Sequence, residues 1–240
     1  MSVREDVGVN EDPAAGLKRD VGEAAARLVE DGMVVGLGTG STANFLIDAL
    51  GRRWAEGLRF TGIPTSIRSE ERARKLGIAL SDFGRHPEID LTIDGADEIE
   101  EGTLNLVKGL GGALLREKIV AANSRRMVVI ADDSKLVRHL GSKAPVPVEV
   151  TPFGWEATSH RLGAIGARVQ PRRDPKGDFF VTDGGNLILD CVFGPMEDAP
   201  QRERAIRDIV GVVECGLFIG RAEIALLAGP NGVHTVGRGT

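Results

Sequence analysis

Apolar and polar positions along residues 1–144 switch repeatedly between a helical and a strand-like period. Leu17, Val21, Ala24, Ala25, Leu28 and Val29 recur at helical spacing, and Gly32 closes the run. MVVGLG (33–38) is a short apolar run ending in glycines, the pattern of a buried parallel strand. The next helix carries Phe45, Leu46, Ala49 and Leu50 inward, with Ser41 or Thr42 available as its cap. LRFTGI (58–63), IALSDF (78–83), IDLTID (89–94) and MVVIAD (127–132) predict further strands. SIRSEERARKLG (66–77) predicts a charged, exposed helix with a glycine stop, and GALLREKIVAA (112–122) another helix. Such alternation implies an α/β fold, a mostly parallel sheet with helices on both faces.

The pattern changes after residue 144. PVPVEV (145–150) is a proline-punctuated strand, and WEATSHRLGAIG (155–166) has helical spacing. FFVTDGGNLILDCVF (179–193) places two apolar runs around a Gly-Gly-Asn turn and predicts a hairpin. PQRERAIRDIVG (200–211) opens with proline at a helix start. The segment therefore reads as βαββα, an α+β unit of about 70 residues against a usual domain range of ~50–250. GLFIG and EIALLAGPNGVHTV (223–236) add short strands, the last two joined by a Pro-Asn-Gly turn. No internal repeat or low-complexity segment interrupts this order.

Composition narrows the function classes. A length of 240 residues allows one large domain or two small ones. The net charge of −5 argues against retention on nucleic acid or an anionic membrane by bulk charge, yet leaves room for a small basic pocket. No apolar run approaches the ~18 residues of a membrane span. The polar, acidic start shows no signal pattern, and residues 1–16 are expected to be a mobile tail. Two cysteines, Cys191 and Cys215, build no disulfide framework and fit a reducing cytoplasm. The histidines, His86, His139, His160 and His234, lack metal-ligand spacing, so a metal enzyme is not the first expectation. Glycine is the outlier, with 32 residues, nearly twice the usual ~7%.

Four segments could carry chemistry. GLGTGSTANF (36–45) joins a strand to a helix N-terminus, where free N–H groups and the helix dipole favour an anion. It lacks the lysine of a P-loop and the third glycine of GxGxxG, so phosphate fits better than a nucleotide. A plain strand-to-helix turn with a Ser/Thr cap explains it equally on local grounds. TIDGADEIE (92–100) puts Asp94 and Asp97 at a strand's carboxyl end, where α/β sheets bind ligands. An Asx turn with solvated acids is the ordinary alternative, and a divalent metal finds no supporting ligand set. VKGLGGALLREKIV (107–120) sets Lys108 before a glycine-rich turn and a helix with Arg116, Glu117 and Lys118. Glu117 could be a base if partly desolvated, although an isolated REK triplet more often pairs with itself on a surface. VVIADDSKLV (128–137) places Lys135 just past a buried strand.

Taken together, the four loops should gather at one carboxyl edge of the sheet. They bring hydroxyls, backbone donors, two lysines, two aspartates and a glutamate to one place. No Ser or Cys nucleophile has an evident His base, so acyl chemistry is unsupported. A carboxylate base, a cation and a phosphate cradle suit proton abstraction beside the carbonyl of a sugar phosphate. The enediolate charge would rest on donors such as Lys108 and the glycine-loop N–H groups.

The ordered motifs GLGTGSTANFLIDAL, IPTSIRSEERARKLGI, TIDGADEIE, VKGLGGALLREKIVA, IADDSKLV, PVPVEV and FVTDGGNLILD resemble those of the metal-free, A-type ribose-5-phosphate isomerases over roughly residues 17–236. The resemblance implies a Rossmann-like domain over 17–144 and 215–240, interrupted by an α+β, ferredoxin-like domain over 145–214. It implies interconversion of D-ribose 5-phosphate and D-ribulose 5-phosphate through a cis-enediolate, in the non-oxidative pentose phosphate pathway. No cofactor is implied, and the small-molecule substrate would be handled by a cytoplasmic homodimer or homotetramer, with no nucleic acid or membrane partner. Glu117 would be the proton acceptor, with Asp94, Asp97 and Lys108 serving ring opening, hydroxyl protons and enediolate charge. The substrate loops would be Thr39, Gly40, Ser41 and Thr42; Asp94, Gly95, Ala96 and Asp97; and Lys108, Gly109, Leu110 and Gly111. Ser41, Thr42 and Lys135 would hold the phosphate, and Lys18 matches an N-terminal lysine that assists. The chain departs from the family at Leu110, usually glycine, and at Cys215, often asparagine. Two rivals remain: another sugar-phosphate isomerase, deaminase or lactonase of similar fold, expected to lack the KGxGG…REK spacing, and a non-catalytic sugar-phosphate sensor, which would need a DNA-binding segment.

Overall fold

The computed structural model describes residues 14–239, so most of the expected tail lies outside the described residues. A six-stranded sheet forms from β1 (Val34–Leu37), β2 (Thr61–Pro64), β3 (Ile89–Gly95), β6 (Ser124–Asp132), β13 (Ile224–Gly229) and β14 (Gly232–Gly237). Its order is β14-β13-β6-β3-β1-β2, parallel throughout except for the β13–β14 hairpin. Strand β6 shows why these runs are continuously apolar. Val128 and Ile130 enter the core under α1 (Ala15–Ala26) and α2 (Ser41–Ala55), while Met127, Val129 and Ala131 enter a second core on the other face. Period-two alternation with both faces covered demands apolar residues at every position.

α3 (Ile67–Lys75) begins at Ser66, whose hydroxyl accepts the Ser69 N–H as an N-cap. The helix before it is capped differently from the sequence reading. Gly40, at φ 109°, is its N-cap, and Ser41 and Thr42 are its first helical residues with no capping side chain. Their hydroxyls are thereby left for another partner.

α4 (Leu114–Ala122) packs on β3 and β6. Beside it lies a small sheet that the periodicity did not reveal. β4 (Glu98–Glu100), β5 (Leu106–Val107), β7 (Leu136–Val137) and β12 (Leu217–Phe218) align in the order β12-β5-β4-β7. These strands have two or three residues each, too short to carry a readable period. One consequence corrects the expectation that all four loops follow strands of the main sheet. Lys108 follows β5, in the small sheet.

A third sheet, β11-β8-β10-β9, is antiparallel throughout and is built from β8 (Val146–Val150), β9 (Arg168–Pro171), β10 (Leu187–Val192) and β11 (Val212–Cys215). With α5 (Trp155–Ala164) and α6 (Ala199–Arg207) it completes a βαββαβ order of ferredoxin-like type. The expected 179–193 hairpin is only half present. Val181 and Leu187 make an isolated bridge around the Gly-Gly-Asn turn, but the full partners of β10 are β8 and β9. Residues 78–83 likewise form one bridge, Gly62 to Leu80, because the Asp82 carboxylate takes the N–H groups of Gly84 and Arg85 and turns the chain.

Two buried charges tie these layers together. The Glu98 carboxylate accepts the N–H groups of Gly141, Lys143 and Ala144, where the chain leaves for β8. Lys118 on α4 donates to Glu214 at 2.9 Å, to the Cys215 carbonyl at 2.7 Å and to the Leu217 carbonyl at 2.8 Å. It thus fastens α4 to β11 and β12. Lys118→Met takes from the buried Glu214 carboxylate its nearest cation, leaving only Arg207 at 3.8 Å, and loss of one partner of a buried pair costs about 3–5 kcal/mol. Urea unfolding should show that loss, and a change below about 1 kcal/mol, the range of an exposed pair, would remove Lys118 as the anchor.

Candidate active site

β3 delivers Asp94 to the centre of the molecule. Its Oδ1 accepts the N–H groups of Thr39 at 3.0 Å and Gly95 at 2.7 Å, and its Oδ2 lies 3.0 Å from Lys108 Nζ. Gly38 is required beside it, because a Cβ there would collide with the Asp94 carboxylate. Lys108 Nζ also donates to the Gly95 carbonyl at 2.6 Å and lies 3.5 Å from Glu117 Oε2. All three charged groups are buried.

The REK triplet diverges over three successive helical positions. Arg116 reaches Asp183 at 3.2 Å, Lys118 reaches Glu214, and Glu117 turns inward to Lys108. The surface-paired reading of Glu117 therefore fails. Burial pushes its carboxyl up, Lys108 opposes this, and the neighbouring Asp94 and Asp97 charges add to it, for a value of about 8. Burial alone would lower the Lys108 ammonium, but Asp94 and Glu117 outweigh it and hold the lysine charged. Burial likewise raises Asp97, against the hydrogen bond from Leu110. The site thus holds a base poised near neutral pH beside a permanent cation.

A cavity of about 300 Å³ opens above this cluster. Among the residues expected to form the site, Lys18, Thr39, Gly40, Ser41, Thr42, Gly95, Ala96, Asp97, Lys108, Gly109, Gly111, Glu117 and Lys135 line it. Asp94 and Leu110 do not. Asp94 lies behind, setting the Thr39 N–H and the Lys108 ammonium. Leu110 donates its N–H to Asp97 Oδ2 at 2.9 Å and leaves its side chain 43% exposed. Among the described residues only Leu104 is a non-glycine with positive φ, so position 110 needs no glycine, unlike Gly109 at φ 101°.

Thr39 departs from the expected role of hydroxyl donor to a ligand. Its Oγ1 is taken by Thr65, Ser66 and Ser69, a buried hydroxyl cluster that fixes the cradle to α3. Asp132 and Ser134 also line the cavity and were not singled out from sequence. Asp132 accepts the Ser134 N–H, so an Asx turn shapes the Lys135 loop. The D-x-S spacing at the end of a strand was the available signal.

A mostly parallel sheet, a cradle at a helix N-terminus and a buried Lys–Glu pair define an α/β protein built to hold a small anion and move a proton. The comparisons agree. The family model for ribose 5-phosphate isomerase A (phosphoriboisomerase A) matches residues 61–232. Ribose-5-phosphate isomerase A of Gluconobacter oxydans is 58% identical over 218 residues, covering 90% of this chain and 94% of the relative. That of a Synechococcus strain is 53% identical over 221 residues, covering 92% and 96%. The solved ribose 5-phosphate isomerase A of Methanocaldococcus jannaschii superposes with TM-score 0.89 at 42% identity, covering 93% of this chain and 99% of that one. A D-ribose-5-phosphate isomerase in complex with phospho-erythronic acid superposes at 0.90 with 35% identity, covering 93% and 98%. The chain belongs to the ribose 5-phosphate isomerase A family.

The raised Glu117 carboxyl has a stability consequence. The folded state binds its proton more tightly than the unfolded state, where the ordinary value is 4.5. The contribution is full below 4.5 and is lost as pH rises toward about 8. Glu117→Gln should therefore gain stability over the parent progressively from pH 5 to pH 8, at roughly 2–4 °C in Tm per kcal/mol. A Tm difference independent of pH would contradict the raised value.

Proposed function

We propose that this chain interconverts D-ribose 5-phosphate and D-ribulose 5-phosphate through a cis-enediolate, with Glu117 as the base. The observation that carries this reading is the buried Glu117 carboxylate 3.5 Å from the Lys108 ammonium, at the floor of a cavity whose far wall is a helix N-terminus. In the forward direction Glu117 removes the proton from C2 of the open-chain aldose. The C1 carbonyl pair becomes an oxyanion facing Lys108, and a hydroxyl proton passes from O2 to O1. Glu117 then returns its proton to C1, leaving the C2 ketone. The redox change is internal to the sugar, so the reaction needs no cofactor.

Several features support the division of roles. Ser41, Thr42 and Lys135 lie toward the phosphate end, where the uncapped first turn of α2 offers N–H donors. Lys18 adds positive charge there. Asp97 lines the cavity with a raised carboxyl and is placed to carry the hydroxyl proton. Asp94 holds Lys108 charged from behind. The body over 17–144 and 215–240 carries the site, with 145–214 as an inserted unit. A cytoplasmic homodimer or homotetramer fits this reading, and Phe153, 95% exposed, offers apolar surface for assembly. Among the described residues no helix is long and apolar enough to cross a membrane.

The test is a direct isomerase assay on ribose 5-phosphate with excess chelator. Parent activity should persist in chelator, and its loss there would refute a metal-free reaction. Glu117→Gln should lower kcat by about 10²–10⁴-fold. In the parent, kcat/KM should climb with pH as Glu117 ionises and level off above about 8. Near-parent turnover in Glu117→Gln would remove Glu117 from the base role.

A further inference from the structure

The glycine loop after Lys108 is gripped on its outer side by an arginine from the ferredoxin-like unit. Arg172 follows β9, and its Nη1 donates to the Gly109 carbonyl at 2.9 Å and the Leu110 carbonyl at 3.0 Å. The rest of the guanidinium is held by Asp190 on β10, with Nε to Oδ2 at 2.9 Å and Nη2 to Oδ1. Phe180 lies 5.9 Å from its centre. From the opposite side Arg68 on α3 donates to the Gly111 carbonyl.

Carbonyl and N–H point in opposite directions across a trans peptide. Drawing the Gly109 carbonyl outward therefore turns the Leu110 N–H inward, where it donates to Asp97 at 2.9 Å. Drawing the Leu110 carbonyl outward turns the Gly111 N–H toward the cavity, which Gly111 lines. One guanidinium thus braces two consecutive peptide planes, the first of which is also held by the Gly112 N–H donating to the Gly109 carbonyl at 3.0 Å. Glycine torsions are soft, so without this grip the loop could rotate both donors away.

We propose that Arg172, oriented by Asp190, is a positioning residue for the isomerisation: it aims the Leu110 N–H at Asp97 and the Gly111 N–H at the developing enediolate charge. This gives the inserted unit a part in the chemistry although Arg172 itself touches no substrate. The inference rests on the isomerase reading above. Its signature is specific. The phosphate end is formed by other loops, so binding of the substrate's phosphate should survive. The transition state, whose charge the loop donors meet, should suffer.

The experiment compares the parent, Glu117→Gln, Arg172→Met, Arg172→Ala, Arg172→Lys and Asp190→Asn on ribose 5-phosphate across pH. Arg172→Met should lower kcat by about 10²-fold, the cost of misplacing a catalytic group by ~1 Å. KM should stay within about threefold, since uniform binding is untouched. Lysine supplies a point charge instead of a planar fork and should recover only part of the loss. Asp190→Asn keeps the arginine but weakens its orientation, and should fall between Arg172→Lys and the parent. Losing the Leu110 hydrogen bond should also raise the Asp97 carboxyl, because that bond holds it down, and so add an Asp97 ionisation to the acid limb that Glu117 sets in the parent. Guanidinium ion should restore activity to Arg172→Ala. Parent kcat and pH profile in Arg172→Met would overturn the proposal, as would losses appearing only in KM or rescued by no guanidinium. If Arg172→Met proves unstable, the folded Asp190→Asn decides by the same readouts. An inactive parent would instead refute the isomerase reading, which separates the two failures.

Discussion

A single buried ammonium organises this molecule. Lys108 Nζ lies among the Asp94 carboxylate, the Glu117 carboxylate and the Gly95 carbonyl. Burying one cation with two anions is expensive unless geometry compensates. The compensation is visible in how many elements end at this point. β3 supplies Asp94 and Gly95, β5 supplies Lys108, and α4 supplies Glu117. Asp94 is further satisfied by two backbone N–H groups. Two carboxylate oxygens, Asp94 Oδ2 and Glu117 Oε2, face the Lys108 charge but accept no hydrogen bond among the described residues. That residual frustration is the chemical resource, because it lifts a carboxyl toward neutral pH where a base can both take and return a proton.

The surrounding structure defends that arrangement. α4 cannot rotate Glu117 away, since Arg116 and Lys118 are anchored on either side by Asp183 and by Glu214 with two carbonyls. The Thr39 cradle cannot drift, since Thr65, Ser66 and Ser69 hold its hydroxyl and Asp94 its N–H. Polar groups buried without water are costly, so most are paired, and the pairing rigidifies the site. Preorganisation here is a by-product of satisfying buried donors and acceptors.

Much of this was legible in the chain and some was not, for physical reasons. The main sheet was readable because doubly covered strands such as 127–132 are apolar at every position, and α3 because Ser66 caps it. The glycine loops pointed to the cavity that Gly40, Gly95, Gly109 and Gly111 line, because backbone approach leaves a compositional trace. The small sheet left none, since a strand like Leu106–Val107 has too few residues for a period. The direction of Glu117 was also beyond local reading. A helical REK triplet pairs on a surface by default, and only Lys108 beside it with Asp183 and Glu214 from distant sequence separates its three side chains. The hydroxyl of Thr39 misled for a related reason, because its partners, Thr65, Ser66 and Ser69, sit where β2 passes into α3 and leave no mark at the loop itself.

The small sheet that carries Lys108 has a consequence for the order of assembly. Its strand β5 pairs with β12, which returns only after the entire ferredoxin-like unit has been traversed, and the Asn105 side chain accepts the N–H of Gly220, 115 residues further along the chain. Contacts of such separation form late, because the loop between them must first be closed. The helices and hairpins can form from closer segments, but the ammonium at the centre has no fixed seat until the chain has come back past residue 217. Native secondary structure and catalytic competence should therefore emerge at different times during folding, so that a refolding population regains its spectroscopic signal before it regains turnover.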